Sequence, residues 1–217
     1  MIYEFRDYEA MPGKLGALNQ RFADHTLGFF QQHGIGVLGF WNLEAGMGSH
    51  LIYITVYESM ADREKKWAEF QANPDWAKVR RESEGDGPMV TQIQNTIMRP
   101  TAYSPDPKVR SNVQELRIYY ANPGKLPALN ERFANHTVDL FRKHGLESVG
   151  YWTDDVGTNN RLIYMLDYPS LGDREKNFAA FGSDPDWQKA RAESEANGPL
   201  LRNVEVKLMR LTPYSPR

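Results

Sequence analysis

The sequence contains no cysteine among its 217 residues. Disulfide bonds, thiolate metal sites and cysteine nucleophiles are therefore excluded, and the composition fits a reducing compartment. The chain also lacks any run approaching the roughly 18 consecutive apolar residues that a membrane-spanning helix needs. Its first ten residues, MIYEFRDYEA, lack the basic segment followed by an apolar segment that marks a secretory signal. We therefore expect a cytoplasmic protein that does not enter a membrane.

An excess of charge of either sign is missing as well. The 26 basic and 28 acidic residues give a formal net charge of −2, and the basic residues are scattered among acidic ones. No strong field attracts nucleic acid or an anionic lipid surface, so neither is an expected partner. The hydrophobic content of 41% is enough for one large core or two small ones.

What the sequence does contain is one segment twice. The stretch PGKLGALNQRFADHT at residues 12–26 returns as PGKLPALNERFANHT at residues 123–137. The match continues without a gap from Glu4 and Glu115 to Pro105 and Pro216, and almost half of the aligned positions are identical. Such a pattern indicates a tandem duplication. We predict a first domain over residues 1–100, a proline-containing linker over 101–111 and a second domain over 112–217.

Each half has the same predicted order of elements, βαββααβ. Alternation indicates the first strand, and apolar residues at helical spacing indicate a first helix that stops at a His-Gly pair. Two aromatic and β-branched runs form a hairpin, and Ser and Asn caps open two further helices before the last strand. This order predicts an α+β protein of two ferredoxin-like domains. Because such a sheet has one bare face, we expect the halves to pack sheet to sheet as an intrachain dimeric α/β barrel, either as a monomeric pseudo-dimer or as a homodimer.

Several segments carry a family resemblance. YEFRDYEAMPGKLGALNQRFADHT, HGIGVLGFW, LIYITVYES and MRPTAYSP together resemble the NIPSNAP family, and the resemblance covers nearly the whole chain, once per half. It implies the dimeric α/β-barrel fold, which family members usually build from two single-domain chains. It implies no particular reaction, because the family has no general assigned activity.

Two equivalent histidines, His25 and His136, are the candidate catalytic residues. On the first helix a residue at 25 or 26 falls in a gap of the apolar stripe, so we expect His25 to point towards the sheet or the rim of a pocket. An imidazole there could act as a general base, since it titrates near neutral pH. The alternative is a semi-buried histidine that only fixes how the helix sits.

Candidate substrate-binding residues lie on the strands. Arg6 and Tyr8 share a strand face with Glu4, and a guanidinium beside a phenol could orient an anionic or carbonyl substrate. The alternative is an ion-pair ladder that lines the contact between the two sheets. Aromatic residues of the central strands could form the walls of a pocket, or they could be simple core. The complete set is Arg6, Tyr8, Trp41 and Tyr53, with Arg117, Tyr119, Trp152 and Tyr164 in the second half.

The function predicted from these residues is binding of a small hydrophobic or aromatic carbonyl-type molecule. Proton transfer or cofactor-free oxygenation would be its chemistry, with no cofactor, although whether the chain is an enzyme stays open. A non-catalytic structural or protein-interaction module is the alternative. Haem binding, with His25 or His136 as ligand, is a lesser alternative that depends on analogy between folds. No metal site is expected, since no histidine pair has the spacing of a helical zinc site.

Overall fold

The computed structural model describes residues 1–46 and 48–216. They divide into two compact units: the first comprises residues 1–98 and 212–216, and the second comprises residues 99–211. Both units have the predicted βαββααβ order. Among the described residues, no helix has the length and hydropathy of a membrane span.

The first unit begins with a strand whose two faces are both buried. The elements of this unit are β1 (Ile2–Ala10), α1 (Leu15–Arg21), a π-helical turn (Phe22–Thr26), α2 (Leu27–Gln32), β2 (Gly36–Ala45), β3 (His50–Tyr57), α3 (Met60–Ala72), α4 (Pro74–Ser83) and β4 (Val90–Pro100), whose last two residues are grouped with the second unit.

The second unit repeats this series. Its elements are β5 (Val113–Ala121), α5 (Leu126–Arg132), a π-helical turn (Phe133–Thr137), α6 (Val138–Lys143), β6 (Glu147–Val156), β7 (Arg161–Tyr168), α7 (Leu171–Ser183), α8 (Pro185–Ser194) and β8 (Leu201–Leu211).

Within each unit the four strands form an antiparallel sheet in which the first strand is central. The first unit has the order β2-β3-β1-β4, and the second has the order β6-β7-β5-β8. One row across the first sheet joins Phe40, Tyr53, Arg6 and Asn95. The equivalent row of the second sheet joins Tyr151, Tyr164, Arg117 and Val206. These rows set which side chains share the face that the helices cover.

Aromatic side chains fill the space between sheet and helices in both units. In the first, Phe22 and Phe30 from the helices pack against Phe40 and Tyr53 from the strands. The ring of Phe22 lies 5.3 Å from that of Tyr53 and 5.6 Å from that of Phe40. Burial of one such side chain contributes about 1.5–3 kcal/mol. The second unit packs Phe133, Phe141, Tyr151 and Tyr164 in the same way.

The caps predicted for the two later helices are present. Ser59 accepts a hydrogen bond from Asp62 N, and Asn73 accepts from the backbone N–H groups of Asp75 and Trp76. Asp184 replaces Asn73 in the second unit and bonds His144 Nε2 at 2.6 Å. Hydrogen bonds from Lys143 and His144 hold the pKa of Asp184 well below its ordinary value.

The π-helical turns change the phase of the first helix in each unit. A π-helical turn adds one residue to the α-helical repeat, and such turns are frequent at functional sites. In the first unit Thr26 is buried and donates through Oγ1 to the carbonyl oxygen of Arg21 at 3.3 Å. His25 is exposed. Of the two orientations expected for His25, the one towards the sheet is therefore wrong, because Thr26 fills the gap in the apolar stripe; His25 instead lines a surface groove. His136 is exposed in the same way, and Thr137 is buried.

The repeated Tyr-Ser-Pro segments take matching places in the two units. In the first unit Thr212 N donates to the carbonyl oxygen of Phe40 at 2.9 Å, and Phe40 N donates to Ser215 Oγ at 3.0 Å. In the second unit Thr101 and Ser104 make the same pair of bonds with Tyr151, at 2.9 and 3.0 Å.

The compact units therefore group the chain differently from the repeat. Residues 101–111, expected to be a linker, belong to the second unit, and residues 212–216 belong to the first. The domain boundaries at 100 and 112 stay a prediction about the repeated sequence. The physical reason for the different grouping is that each Tyr-Ser-Pro segment bonds the backbone of one central residue, Phe40 or Tyr151.

Candidate functional site

A buried charged cluster surrounds Glu4 on the helix-covered face of β1. Arg6 Nη1 donates to Glu4 Oε1 at 2.6 Å, and Arg63 of α3 donates from Nε and Nη2 to both carboxylate oxygens at 2.8 Å. Asn95 of β4 adds a hydrogen bond at 3.1 Å. A bidentate guanidinium contact of this kind is among the stronger hydrogen bonds in proteins. The cluster thus ties the central strand to α3 and to the neighbouring strand.

The electrostatics keep this cluster ionised. Burial alone would raise the pKa of Glu4, but the hydrogen bond from Arg63 and the charge of Arg6 outweigh it, so the pKa is lowered. Burial likewise opposes the charge of Arg6, yet the neighbouring phenols and Glu4 raise its pKa. Two guanidinium groups thus face one carboxylate. The cluster therefore carries an excess positive charge, and this charge favours the binding of an anion nearby.

Aromatic rings enclose the Arg6 guanidinium. Its central carbon lies 4.5 Å from the centroid of Trp67, a cation–π contact. Arg6 Nη2 also donates to the Tyr8 hydroxyl at 3.1 Å, and Tyr53 donates to the same hydroxyl at 2.9 Å. Arg6 Nε is buried without a hydrogen-bond partner. The predicted residues Arg6, Tyr8 and Tyr53 are thus brought together.

The second unit contains an equivalent cluster around Glu115, in which some of the hydrogen-bond partners differ. Arg117 Nη1 donates to Glu115 at 2.5 Å, and Arg174 donates to both oxygens of Glu115 at 2.9 and 3.0 Å. Arg117 Nη2 lies 3.4 Å from the Tyr119 hydroxyl. Tyr168 donates to Glu115 at 3.2 Å. Arg117 and Tyr119 are less buried than Arg6 and Tyr8, so the second cluster is the more accessible one.

Two parts of the sequence interpretation need correction here. The alternative interpretation placed the Glu4, Arg6 and Tyr8 face at a contact between sheets, but Arg63 and Trp67 of α3 cover it. That α3 would supply the second guanidinium was missed, although Arg63 and Arg174 stand in the DREK segment that both halves share. Helical spacing alone does not tell which residue of α3 reaches the central strand.

Trp41 and Trp152 do not line the same space as Tyr53 and Tyr164. The register pairs Tyr53 with Phe40, whereas Trp41 pairs with Ile52 on the opposite face. The equivalent pairs of the second unit are Tyr151 with Tyr164 and Trp152 with Ile163. The prediction that Trp41 and Tyr53 form the walls of one pocket is therefore wrong, because successive side chains of a strand point to opposite faces.

His25 and His136 lie along equivalent surface grooves, apart from the charged clusters. The groove beside His25 has a volume of about 280 Å³ and is lined also by Gln20, Arg21, Asp24 and Glu82. The groove beside His136 has a volume of about 290 Å³. Neither groove fits haem, since the volume of each lies below the range of about 300–1,000 Å³ that is typical even of sites for ordinary small ligands.

A larger cavity lies next to Tyr119 in the second unit, with a volume of about 430 Å³. We call it the Tyr119 cavity. Three guanidinium groups and one carboxylate line it, together with two aromatic rings, and its volume falls in the range of small-molecule sites. Its lining residues are Tyr119, Arg132, Trp187, Arg191, Glu195, Pro199, Leu201, Arg202, Asn203 and Val204.

Arg132 is the most buried charge of this cavity. It is 4% exposed, and its Nε has no hydrogen-bond partner. Its Nη1 donates to Glu195 at 3.2 Å, and its guanidinium lies 5.3 Å from the ring of Trp187. The same side chain also lines the groove of His136. The sequence interpretation missed three arginines of this cavity, namely Arg132, Arg191 and Arg202. They lie on α5, α8 and β8, which come together only in the folded unit.

With this geometry established, the relationship to known proteins can be stated. The family model described as NIPSNAP matches the chain twice, over residues 3–105 and 114–216. The chain therefore belongs to the NIPSNAP family, as a tandem pair. It is similar to the NipSnap homologue of Dictyostelium discoideum, with 25% identity over 95% of this chain and 85% of that protein.

Solved structures show the fold class over nearly the full length of the chain. A candidate monooxygenase of Fusobacterium nucleatum aligns with 97% of this chain and 91% of its own at a TM-score of 0.65 and 12% identity. An anthrone oxidase-like protein aligns with the same shares at a TM-score of 0.62 and 11% identity. At these identities the likeness shows the fold alone. The fold class is that of the dimeric α/β barrels, with two tandem ferredoxin-like domains in one chain.

Proposed function

We propose that the chain binds a small anionic aromatic or carbonyl compound in the Tyr119 cavity and that proton transfer is its chemistry. The observation that carries this proposal is the charge of the lining: three guanidinium groups and one carboxylate stand around an aromatic-walled space. In a chain of net charge −2, such a local excess of positive charge favours anions. The rings of Tyr119 and Trp187 provide flat apolar contact.

The adjoining charged cluster supports the same ligand class. Tyr119 belongs both to the cavity and to the Glu115 cluster, where it accepts from Arg117. Two guanidinium groups face one carboxylate in that cluster too. Positive charge on both sides of Tyr119 favours a carboxylate ligand, and it equally favours the enolate that a carbonyl compound becomes when it loses a neighbouring proton.

Glu195 is the residue proposed to take that proton. Its carboxylate lines the cavity between Arg132 and Arg191, at 3.2 and 3.5 Å. The C–H proton moves to the carboxylate, the electron pair moves to the carbonyl oxygen, and the guanidinium groups stabilise the enolate. Molecular oxygen could then add to the enolate carbon and take the proton back from Glu195, to give a hydroperoxide. The descriptions of structural neighbours as a candidate monooxygenase and an anthrone oxidase-like protein support this second step.

Calorimetric titration tests the binding step. We expect 1-naphthoate to bind and the uncharged 1-naphthamide not to bind. Arg202→Thr, which installs the residue that the first unit has at the equivalent Thr91, should weaken naphthoate binding about ten-fold, as should Arg191→Ala. Arg80→Ala, the equivalent change in the first unit, is the matched control and should leave binding unchanged. Equal binding of acid and amide, or equal loss with Arg80→Ala, would contradict the proposal.

Dioxygen uptake tests the chemical step. With anthrone as the probe, the wild type should consume dioxygen, and Glu195→Gln should not, while it keeps naphthoate binding within a few-fold. Uptake that is the same with and without the Glu195 carboxylate would remove Glu195 from the role of base.

A further inference from the structure

A second cavity in the same unit lies beside the segment that follows β4. Its volume is about 360 Å³, and we call it the Tyr103 cavity. Walls come from the 102–105 segment, from α6 and from the start of β6. Its lining residues are Ala102, Tyr103, Ser104, Pro105, Arg110, Val138, Arg142, Leu146, Glu147 and Ser148. None of them lines the Tyr119 cavity.

Two hydroxyl groups lie at or beside this cavity, at positions where the first unit has apolar side chains. Ser148 Oγ and the Tyr151 hydroxyl lie 2.5 Å apart, and Tyr151 is fully buried. Val37 and Phe40 occupy the equivalent positions of the first unit. Because one hydrogen bond uses only one of the two hydroxyl protons, the pair retains a second O–H donor. Ser148 is half-buried and lines the cavity, so it can present this donor to a bound ligand.

Both signs of charge stand around the cavity. Arg142 replaces Gln31 of the first unit, and Glu147 replaces Gly36. Within residues 1–46 and 48–216, Glu147 takes part in no ion pair. Among the same described residues, Arg142 is paired only with Asp139 on the helix surface, where the two side chains are 73% and 74% exposed. An exposed pair of this kind is weak, so Arg142 can exchange it for a ligand group.

We propose that the Tyr103 cavity binds a small zwitterion, namely an α-amino acid with an apolar side chain. Arg142, with Arg110, receives the carboxylate, Glu147 receives the ammonium group, and Ser148 donates its proton to a carboxylate oxygen. The apolar side chain lies against Val138, Leu146 and Pro105. A mixed set of charges over apolar walls fits a zwitterion better than a simple anion, since the exposed carboxylate of Glu147 would repel a simple anion held beside it.

Titration with L-leucine tests the proposal. We expect saturable binding of L-leucine. Leucinamide, which lacks the carboxylate, and 4-methylpentanoate, which lacks the ammonium group, should each bind at least about ten-fold more weakly than L-leucine. The double variant Ser148→Val with Tyr151→Phe gives the second unit the residues of the first, so it should fold and lose binding about ten-fold. Glu147→Gln should weaken leucine but not 4-methylpentanoate.

The controls separate this site from the Tyr119 cavity. Arg202→Thr should bind L-leucine as the wild type does, and so should Val37→Ser, the reciprocal change in the first unit. The proposal is overturned if L-leucine gives no saturable heat, if 4-methylpentanoate binds as well as L-leucine, or if the folded double variant keeps full affinity. Failure of 1-naphthoate to bind would affect only the proposed function of the other cavity.

Discussion

The hydroxyl of Tyr214 donates to Oδ1 of Asn19 at 2.7 Å, although the two residues are separated by 195 positions of the chain. The second unit contains the same relationship between Tyr103 and Asn130, at 2.6 Å. Each bond anchors a Tyr-Ser-Pro segment to the first helix of the unit in which it lies. Two identical solutions in two units indicate that the segment is part of the folded structure.

Removal of this anchor should destabilise one unit at a time. Tyr214→Phe deletes the hydroxyl and leaves Asn19 Oδ1 without its donor, at an expected cost of about 1 kcal/mol. Hydrogen exchange should then be faster in β2 of the first unit and unchanged in β6. Tyr103→Phe is the matched variant and should show the reverse. Identical exchange changes in both units would contradict this assignment.

The buried Glu4 cluster should make stability depend on pH. The pKa of the Glu4 carboxyl group lies below its ordinary value of 4.5 in the folded protein, so Glu4 binds a proton more readily in the unfolded chain. The stabilisation is fully present above pH 4.5 and is lost as the pH falls through the lower folded value. Glu4→Gln leaves the buried Arg6 and the half-buried Arg63 without their counter-ion and should cost about 3 kcal/mol at neutral pH.

Urea denaturation at a series of pH values measures this effect. The difference between the wild type and Glu4→Gln should shrink as the solution is acidified below pH 4.5. Glu9→Gln, a change on the same strand outside the cluster, is the control. A difference that stays constant down to the acid limit would show that the carboxylate charge contributes nothing.

The glycine before each central aromatic pair should resist substitution. The indole of Trp41 lies over Gly39, so that a Cβ there would stand 2.6 Å from Trp41 Cζ2. Gly39→Ala must displace this fully buried ring and should cost about 1–3 kcal/mol. Gly28→Ala is the control, because no atom lies within 4 Å of a Cβ there. In helix α2 that change should be neutral or stabilising by up to about 1 kcal/mol. Thermal denaturation of the two variants compares them.

Substitutions at His25 and Thr26, neighbours in the first π-helical turn, should differ in their effect on stability. His25→Ala changes an exposed side chain and should alter the free energy of unfolding by less than about 0.5 kcal/mol. Thr26→Val removes the hydroxyl that donates to Arg21 O and should cost about 1 kcal/mol. Chemical denaturation distinguishes them. A larger loss for His25→Ala would show that the imidazole has a structural role.

The π-helical turn also shows where pattern reasoning reaches its limit. Apolar spacing placed the helix correctly and identified a gap at residue 25 or 26. Which of the two fills the gap depends on one added residue in the backbone repeat, and nothing in the spacing reveals it. His25 and His136 therefore stay predictions as catalytic residues, and the groove beside each is the place to test them.

The sequence by itself determined the duplication, the order of elements in each unit, the helix caps and the shared strand face of Glu4, Arg6 and Tyr8. These features are local, since a period of two or a cap depends on residues a few positions apart. Only the tertiary structure decided that Tyr53 pairs with Phe40 and not with Trp41, that Arg63 joins Glu4, and that residues 212–216 belong to the first unit. The physical reason is that register, side-chain ion pairs and cavities depend on contacts between residues far apart in the chain.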